Sequence, residues 1–453
     1  MTRAAHGGGR ETFFGLGRGQ FPRLLRAVEG RKRLVYLDNA CTALKLRAPA
    51  EKMRDFALQG GGCAGGRSMH ALARRSEEAV AQTRAATAAY LGAASPREIV
   101  FTSGTTEAVN LLARGLPASP GRREIIVTDL EHNSAYLPFY ERARRDGLSL
   151  IVAKTKRGRL DFKSLARLVS KKTMLVAIPR SSNVFGGVLP LDAVCDLAHD
   201  AGAFVFADEA QYLQSHREDV QESGVDFAAF SAHKLGGPFG VGVLYGKEHL
   251  LNTLEPHKPG GGTVAGLKRS GGVWRPDYLD APRRFEGGIQ NYTGIVGLGE
   301  TLRLHERVDR PALRAHITSL VRRSVRGLSD LRWARVLGEE RRLVEGSIVS
   351  FHVQDKRFSA SDLAIFLDQD LPRDSIAVRV GEHCANLLHG RLRLHETVRL
   401  SFFAYNTARE VDRFLDALCE YYRACVGRPA MPKTRRPPAR RGRRPARKVC
   451  RRA

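Results

Sequence analysis

Long apolar runs are missing from this chain. None approaches the roughly 18 residues that a membrane-spanning helix needs, which excludes a helical membrane protein. Close cysteine pairs are missing too. The seven cysteines (Cys41, Cys63, Cys195, Cys384, Cys419, Cys425 and Cys450) include no C-x-x-C and no metal-finger spacing, so a zinc ribbon is excluded. An odd, scattered count favours a reducing compartment over a disulfide framework. The first twenty residues are rich in glycine and arginine and lack the apolar segment of a secretory signal. A soluble, cytoplasmic protein is expected, with no metal site and no membrane partner.

Acidic residues are also few, with 47 Asp and Glu against 74 Lys and Arg, a formal net charge of +27. The excess is not spread evenly. The last 26 residues hold twelve basic side chains, five prolines and no acid. Such a segment cannot bury apolar surface, so a disordered basic tail is expected over 428–453. It reads either as an electrostatic arm for nucleic acid or an acidic partner, or as a solvated extension.

What is present is a long, 43% hydrophobic body able to bury a large core and form two lobes. An arm over 1–30 precedes a large domain expected over 31–295. A smaller α/β domain is expected over 296–427, with the boundary near 292–300. Between about 75 and 250, short apolar runs at 99–101, 125–128, 150–153, 175–178, 204–207, 227–230 and 241–245 alternate with amphipathic stretches at 77–91, 107–114, 136–146 and 192–201. This βαβ rhythm predicts a mostly parallel sheet covered on both faces. Ligands of such sheets sit outside the carboxyl ends of the strands. The second unit shows strand patterns at 347–353, 376–380 and 398–402.

The chemistry-bearing residues follow those strands. Ser231-Ala232-His233-Lys234 lies between two apolar runs, where a partly desolvated amine becomes a nucleophile. Asp208 ends the preceding run, placed to keep the ring nitrogen of pyridoxal phosphate protonated. Neither residue alone points to a cofactor; together they do. Thr102-Ser103-Gly104-Thr105-Thr106 opens a helix in the manner of a phosphate-binding N-terminus. His132 is placed to stack on an aromatic ring. Asn183 and Gln211 are placed to reach a ring hydroxyl. In the second unit, Arg379-Val380-Gly381-Glu382-His383-Cys384 ends a strand in a turn bearing a cysteine, and Arg399 follows. An arginine fork suits a carboxylate, and an exposed thiolate suits nucleophilic attack.

In order along residues 34–425, these motifs resemble the class V, fold-type I family of pyridoxal-phosphate enzymes. They are most similar to its Suf-type (group II) cysteine desulfurases. The resemblance rests on Tyr36-Leu37-Asp38-Asn39-Ala40, Phe101–Asn110, Ser182–Gly186, Ala207–Gln211, Asp226–Lys234, Arg284–Gly287, His383-Cys384-Ala385 and Tyr405-Asn406-Thr407. It implies that Lys234 holds the cofactor as a Schiff base, Asp208 pairs with its ring nitrogen and His132 stacks on the ring. It further implies that Asn183 and Gln211 contact the 3′-oxygen, while Thr105, Thr106, Ser231 and His233 hold the phosphate. Arg399, with Asn183 and Arg379, takes the substrate carboxylate, and Cys384 accepts sulfur from L-cysteine. A homodimer and a sulfur-acceptor protein are implied, in iron–sulfur or thio-cofactor assembly.

The sequence departs from that family at several places. The threonine that reaches a neighbouring subunit's phosphate is Ile289, and an expected histidine is Gly66, beside a matching Arg67. The histidine pair before the cysteine is Glu382-His383, and Asn133-Ser134-Ala135 follows His132. An acid close in space to the nucleophile raises a thiol pKa. These changes fit a competing reading, a class V lyase, aminotransferase or epimerase acting on another amino acid such as selenocysteine or cystine.

Overall fold

The computed structural model describes residues 12–28, 32–59, 61–64, 68–117 and 119–426. The basic tail expected over 428–453 lies outside them, as do Gly66 and Arg67.

The chain enters through β1 (Arg33–Tyr36) and two helices, α1 (Arg47–Leu58) and α2 (Ala71–Leu91). Helix α2 starts six residues before the predicted segment because the His70 side chain accepts from the Ala73 N–H and caps it. Seven strands then form one sheet: β2 (Ile99–Thr102), β3 (Glu124–Thr128), β4 (Ser149–Ala153), β5 (Thr173–Pro179), β6 (Phe204–Asp208), β7 (Phe227–Ser231) and β8 (Gly242–Gly246). Their order is β2-β8-β7-β6-β5-β3-β4. Only β8 runs against its neighbours, so the sheet is mostly parallel, as predicted.

Side chains alternate across this sheet. Val205, Ala207, Val176 and Phe230 join one core cluster, while Phe206, Leu175, Ala177 and Ala229 join the other. The second face is covered by α3 (Thr105–Gly115) and α4 (Asn133–Asp146). The first is covered by α5 (Leu191–Asp200) and α6 (Tyr292–His305). Burial on both faces explains why the strands read as short continuous apolar runs. Each fully buried Val, Leu, Ile or Phe adds about 1.5–3 kcal/mol.

A hairpin of β9 (Val264–Ser270) and β10 (Val273–Tyr278) leaves this lobe with Leu267, Val273 and Trp274 exposed. Sequence patterning did not reveal it. Gly271 and Gly272 supply the positive φ angles, +59° and +80°, that a two-residue hairpin turn demands.

The second lobe follows α7 (Arg310–Asp330). Strands β11 (Ala334–Val336), β12 (Ile348–Val353), β14 (Arg379–Gly381) and β15 (Thr397–Ser401) form an antiparallel sheet in the order β11-β12-β15-β14. Helix α8 (Asn386–Leu392) lies between β14 and β15, and α9 (Ala408–Val426) closes the lobe. The segment predicted as one strand over 376–380 is two. Its first part, β13 (Asp374–Ala377), pairs in parallel with β1, and its second part, β14, pairs with β15.

β1 therefore belongs with the second lobe, although the sequence division placed it in the large domain. Val35 and Leu37 complete a core with Ile376, Phe351 and Phe414 that no local pattern specifies. The described part of the predicted N-terminal arm, residues 12–28, is anchored there as well. Phe21 is fully buried, with its ring 4.9 Å from that of Tyr405.

Among the described residues, no helix is long and apolar enough to cross a membrane, and no side-chain cluster has metal-binding composition. The six described cysteines are free thiols.

Candidate active site

The loops after β2, β3, β5, β6 and β7 open on one edge of the main sheet, and the second lobe faces them. Between them lies a cavity of about 210 Å³. Every candidate named from the sequence lines it: Thr105, Thr106, His132, Asn183, Asp208, Gln211, Ser231, His233, Lys234, Arg379, Cys384 and Arg399. Parallel strands bring residues 102 positions apart in sequence (Thr106 and Asp208) to one rim.

Lys234 sits on a single 3-10 turn, Ala232–Leu235, that caps β7 and ends at Gly236 with φ +80°. Burial lowers its ammonium pKa, and the negative charge of Asp208 works against that shift. Asp208 is buried in turn, which raises its carboxyl pKa; Lys234 and the Ala210 N–H, 3.0 Å from Oδ1, oppose the rise. The two groups thus stabilise each other's charge in a poorly solvated site.

His132 caps α4 by accepting from the Ser134 N–H at 3.0 Å. Burial, reinforced by the positive charges of Lys234 and Arg399, pushes its pKa down to about 3. It is a neutral aromatic ring at physiological pH, suited to stacking. His233 is pushed down to about 4 for the same first reason, burial.

The Ser231 hydroxyl accepts from the Thr105 N–H at 2.9 Å and lies 2.8 Å from the Thr105 hydroxyl. Thr106 donates to Ser134 at 2.9 Å. Hydroxyls therefore cluster at the N-terminus of α3, an eleven-residue helix whose dipole favours an anion. This loop is held in place by Glu286, which accepts from the Phe101 N–H at 2.8 Å and takes both guanidinium nitrogens of Arg84.

The two amides expected to reach a ring hydroxyl spend N–H groups on carbonyls of this chain. The Asn183 Nδ2 donates to the His383 carbonyl at 2.7 Å, and the Gln211 Nε2 donates to the Ala40 carbonyl at 2.8 Å. What each leaves buried without a partner is its amide oxygen. Each of those oxygens is an acceptor, able to take a hydrogen bond from a hydroxyl.

The opposite wall comes from the second lobe. Arg399, 3% exposed, donates to the Asn183 carbonyl at 3.1 Å and to Asp38 at 3.2 Å, while its Nε is left without a partner. Cys384 is exposed on the turn between β14 and α8. His383 and Cys384 both take left-handed backbone angles, φ +54° and +56°, rare for side-chain-bearing residues. The turn is pinned on several sides: the Asn133 N–H donates to the Cys384 carbonyl at 2.7 Å, and His383 Nε2 lies 2.7 Å from the Thr397 hydroxyl. Glu382 is engaged by the Asn386 amide, whose oxygen accepts from Asn133 Nδ2 at 2.6 Å. Glu382, the acid two residues before the thiol, is part of this latch. Ile289 is 66% exposed on an outer loop and meets no phosphate site of its own chain.

Sequence reading passed over Cys41, which lines the same cavity from the turn after β1. Its signal was its position directly after Tyr36–Ala40, at the end of a strand. Asn386 and the acid partner of Arg399, Asp38, were also unassigned, because each acts through residues distant in sequence.

Comparison with known proteins gives one answer. The family described as aminotransferase class-V matches residues 35–414. A cysteine desulfurase of Dickeya dadantii is 36% identical over 409 residues, 90% of this chain and 96% of that protein. One from Yersinia pestis is 35% identical, covering 88% of this chain and 96% of that one. Among solved structures, the cysteine desulfurase CsdA of Escherichia coli, in an S-sulfonic acid form, has a TM-score of 0.79 at 32% identity, covering 90% of this chain and 98% of that one. The apo cysteine desulfurase of Thermococcus onnurineus has a TM-score of 0.77 at 32% identity, covering 86% and 94%. With a matching family over most of its length and relatives of this identity and coverage, the chain belongs to the aminotransferase class-V family, among the relatives named cysteine desulfurases.

Proposed function

We propose that the protein is a pyridoxal-phosphate-dependent cysteine desulfurase that converts L-cysteine to L-alanine and leaves the sulfur as a persulfide on Cys384. The observation that carries this reading is the convergence of a buried amine, a buried guanidinium and an exposed thiol on one cavity.

The residues fit the cofactor. Thr105, Thr106, Ser231 and His233 would hold its phosphate at the α3 N-terminus. Asp208 would meet the ring nitrogen, His132 the ring face, and the unpaired oxygens of Asn183 and Gln211 the ring hydroxyl. When bound at Lys234, pyridoxal phosphate supplies an electron sink for the carbon bearing the substrate's amine.

Arg399 and Arg379 orient the substrate carboxylate, and the open Nε of Arg399 is a donor awaiting it. Lys234 Nζ, its pKa lowered by burial, takes the proton from Cα. The Cys384 thiolate attacks the substrate sulfur. A sulfur–sulfur bond forms, the Cβ–S bond breaks, and the electron pair stays with the carbon skeleton, which takes up a proton as alanine. The persulfide then leaves through a sulfur-acceptor protein toward iron–sulfur or thio-cofactor assembly. The working form is a homodimer in the cytoplasm.

The test uses the purified full chain with L-cysteine, assaying alanine and protein persulfide beside Cys384→Ala. Alanine with a persulfide that the variant lacks supports the reading. Alanine made equally well by Cys384→Ala moves the protein to the lyase class, and a cofactor band without alanine moves it to another amino acid. A light-scattering mass of one chain would contradict the homodimer.

A further inference from the structure

Cys384 has little freedom to carry sulfur out of the cavity. Its carbonyl is held by the Asn133 N–H, the His383 carbonyl by Asn183, and the Glu382 carbonyl by the Ala385 N–H at 2.8 Å. Two successive left-handed residues fix the turn further. A persulfide formed there stays on that fixed turn, exposed in the cavity.

Cys41 stands in the same cavity and is exposed. Its turn is equally fixed: the Cys41 N–H donates to the Asp38 carbonyl at 3.1 Å, and the Ala40 N–H donates to the Ser401 hydroxyl at 2.8 Å. Arg379 Nη1 lies 4.0 Å from the Cys41 sulfur. Arg379 opens β14, the strand that runs directly into the Cys384 turn, so the segment that bears one thiol reaches the other. Lys45, four residues on, has its ammonium pKa pushed down to about 8 by burial, with Cys41 opposing the fall.

We propose that Cys41 is a second sulfur-carrying thiol, taking the outer sulfur from the Cys384 persulfide and presenting it at the cavity mouth. The inference rests on the desulfurase reading. The Cys41 thiolate attacks the outer sulfur of Cys384–S–SH. A sulfur–sulfur bond forms at Cys41, and the one at Cys384 breaks with its electron pair leaving as thiolate. The proton given up by the Cys41 thiol passes to Cys384, so neither oxidant nor reductant is consumed. Cys384 is then free for another turnover before any acceptor arrives.

The experiment loads the full chain with pyridoxal phosphate, adds L-cysteine without acceptor, and maps alkylated peptides by mass spectrometry, beside Cys41→Ser and Cys384→Ser. Persulfide is expected on both cysteines of the wild-type chain, on Cys384 alone in Cys41→Ser, and on neither in Cys384→Ser. The acceptor-free burst of alanine should be about twofold larger in the wild type than in Cys41→Ser, since two thiols store sulfur. Persulfide confined to Cys384 in the wild type overturns the relay and leaves the desulfurase reading standing. Cys41 persulfide that persists in Cys384→Ser overturns it too, because Cys41 would then be loaded directly. Absence of alanine from every variant removes the desulfurase reading and the relay together. A turnover-independent readout is diamide treatment of the cofactor-free chain. A Cys41–Cys384 disulfide peptide is expected there, and its absence while both thiols remain alkylatable removes the juxtaposition.

Discussion

The two walls of the cavity are built differently. The floor, from Thr105 to Lys234, rests on the ends of parallel strands, with Thr105, Asp208 and Ser231 buried and engaged by neighbouring groups. The facing wall, from Arg379 to Arg399, rests on a short turn with two left-handed residues, an exposed thiol and a side-chain latch to the other lobe. The floor supplies what any reaction of this cofactor needs. On the proposed reading, the wall decides which bond breaks.

Substitutions can separate the two. Lys234→Ala should lower turnover by about 10⁴-fold or more and remove the absorption of the covalently held cofactor. Cys384→Ala should abolish persulfide and lower alanine formation by about 10³-fold with the cofactor band intact. Equal loss of the band in both would erase the distinction between floor and wall. Arg399→Lys should raise KM for cysteine by roughly 10- to 100-fold with little change in the band, since a point charge replaces a fork. Steady-state kinetics beside a visible spectrum reads both.

The latch predicts a smaller effect. Asn133→Ala keeps the main-chain bond to Cys384 but removes the side-chain bridge to Asn386. It should lower kcat by about 3- to 10-fold at unchanged KM and unchanged band, because the thiol is less well aimed. A fall in cofactor affinity instead would assign Asn133 to the floor.

Acid should act on both walls together. Burial pushes His132 down to about 3, His233 to about 4 and His383 to about 2. Between these values and the ordinary histidine pKa near 6.5, the unfolded chain binds more protons than the folded one. Stability is therefore lost as pH falls from about 6.5, and recovered as it rises. Thermal melts at pH 7, 5.5 and 4 should step downward, with the cofactor band and the protein fluorescence falling at one temperature. Separate transitions would show that the walls unfold independently.

The floor was legible in the sequence because each of its residues follows an apolar run, and parallel strands convert that local position into shared location. Lys234 and Asp208 needed no knowledge of the second lobe. Cys384 and Arg399 were readable from a strand ending in a glycine turn and from the family resemblance. What escaped was long-range. Nothing in Arg33–Tyr36 says that it pairs with 374–377, nothing around Val378 says that one strand becomes two, and nothing around Asn386 names Asn133 as its partner. The Gly271-Gly272 hairpin was the exception, a local signal present and overlooked.

The pairing of β1 with β13 also bears on how the protein is made. Arg33 and its ion-pair partner Asp374 are 341 positions apart, so the second lobe cannot close until most of the chain has left the ribosome. During synthesis β1 waits with an unpaired edge while the whole seven-stranded sheet is completed behind it. At a translation rate of roughly 5–20 residues per second, that interval lasts tens of seconds, long enough for a holding chaperone to shield it.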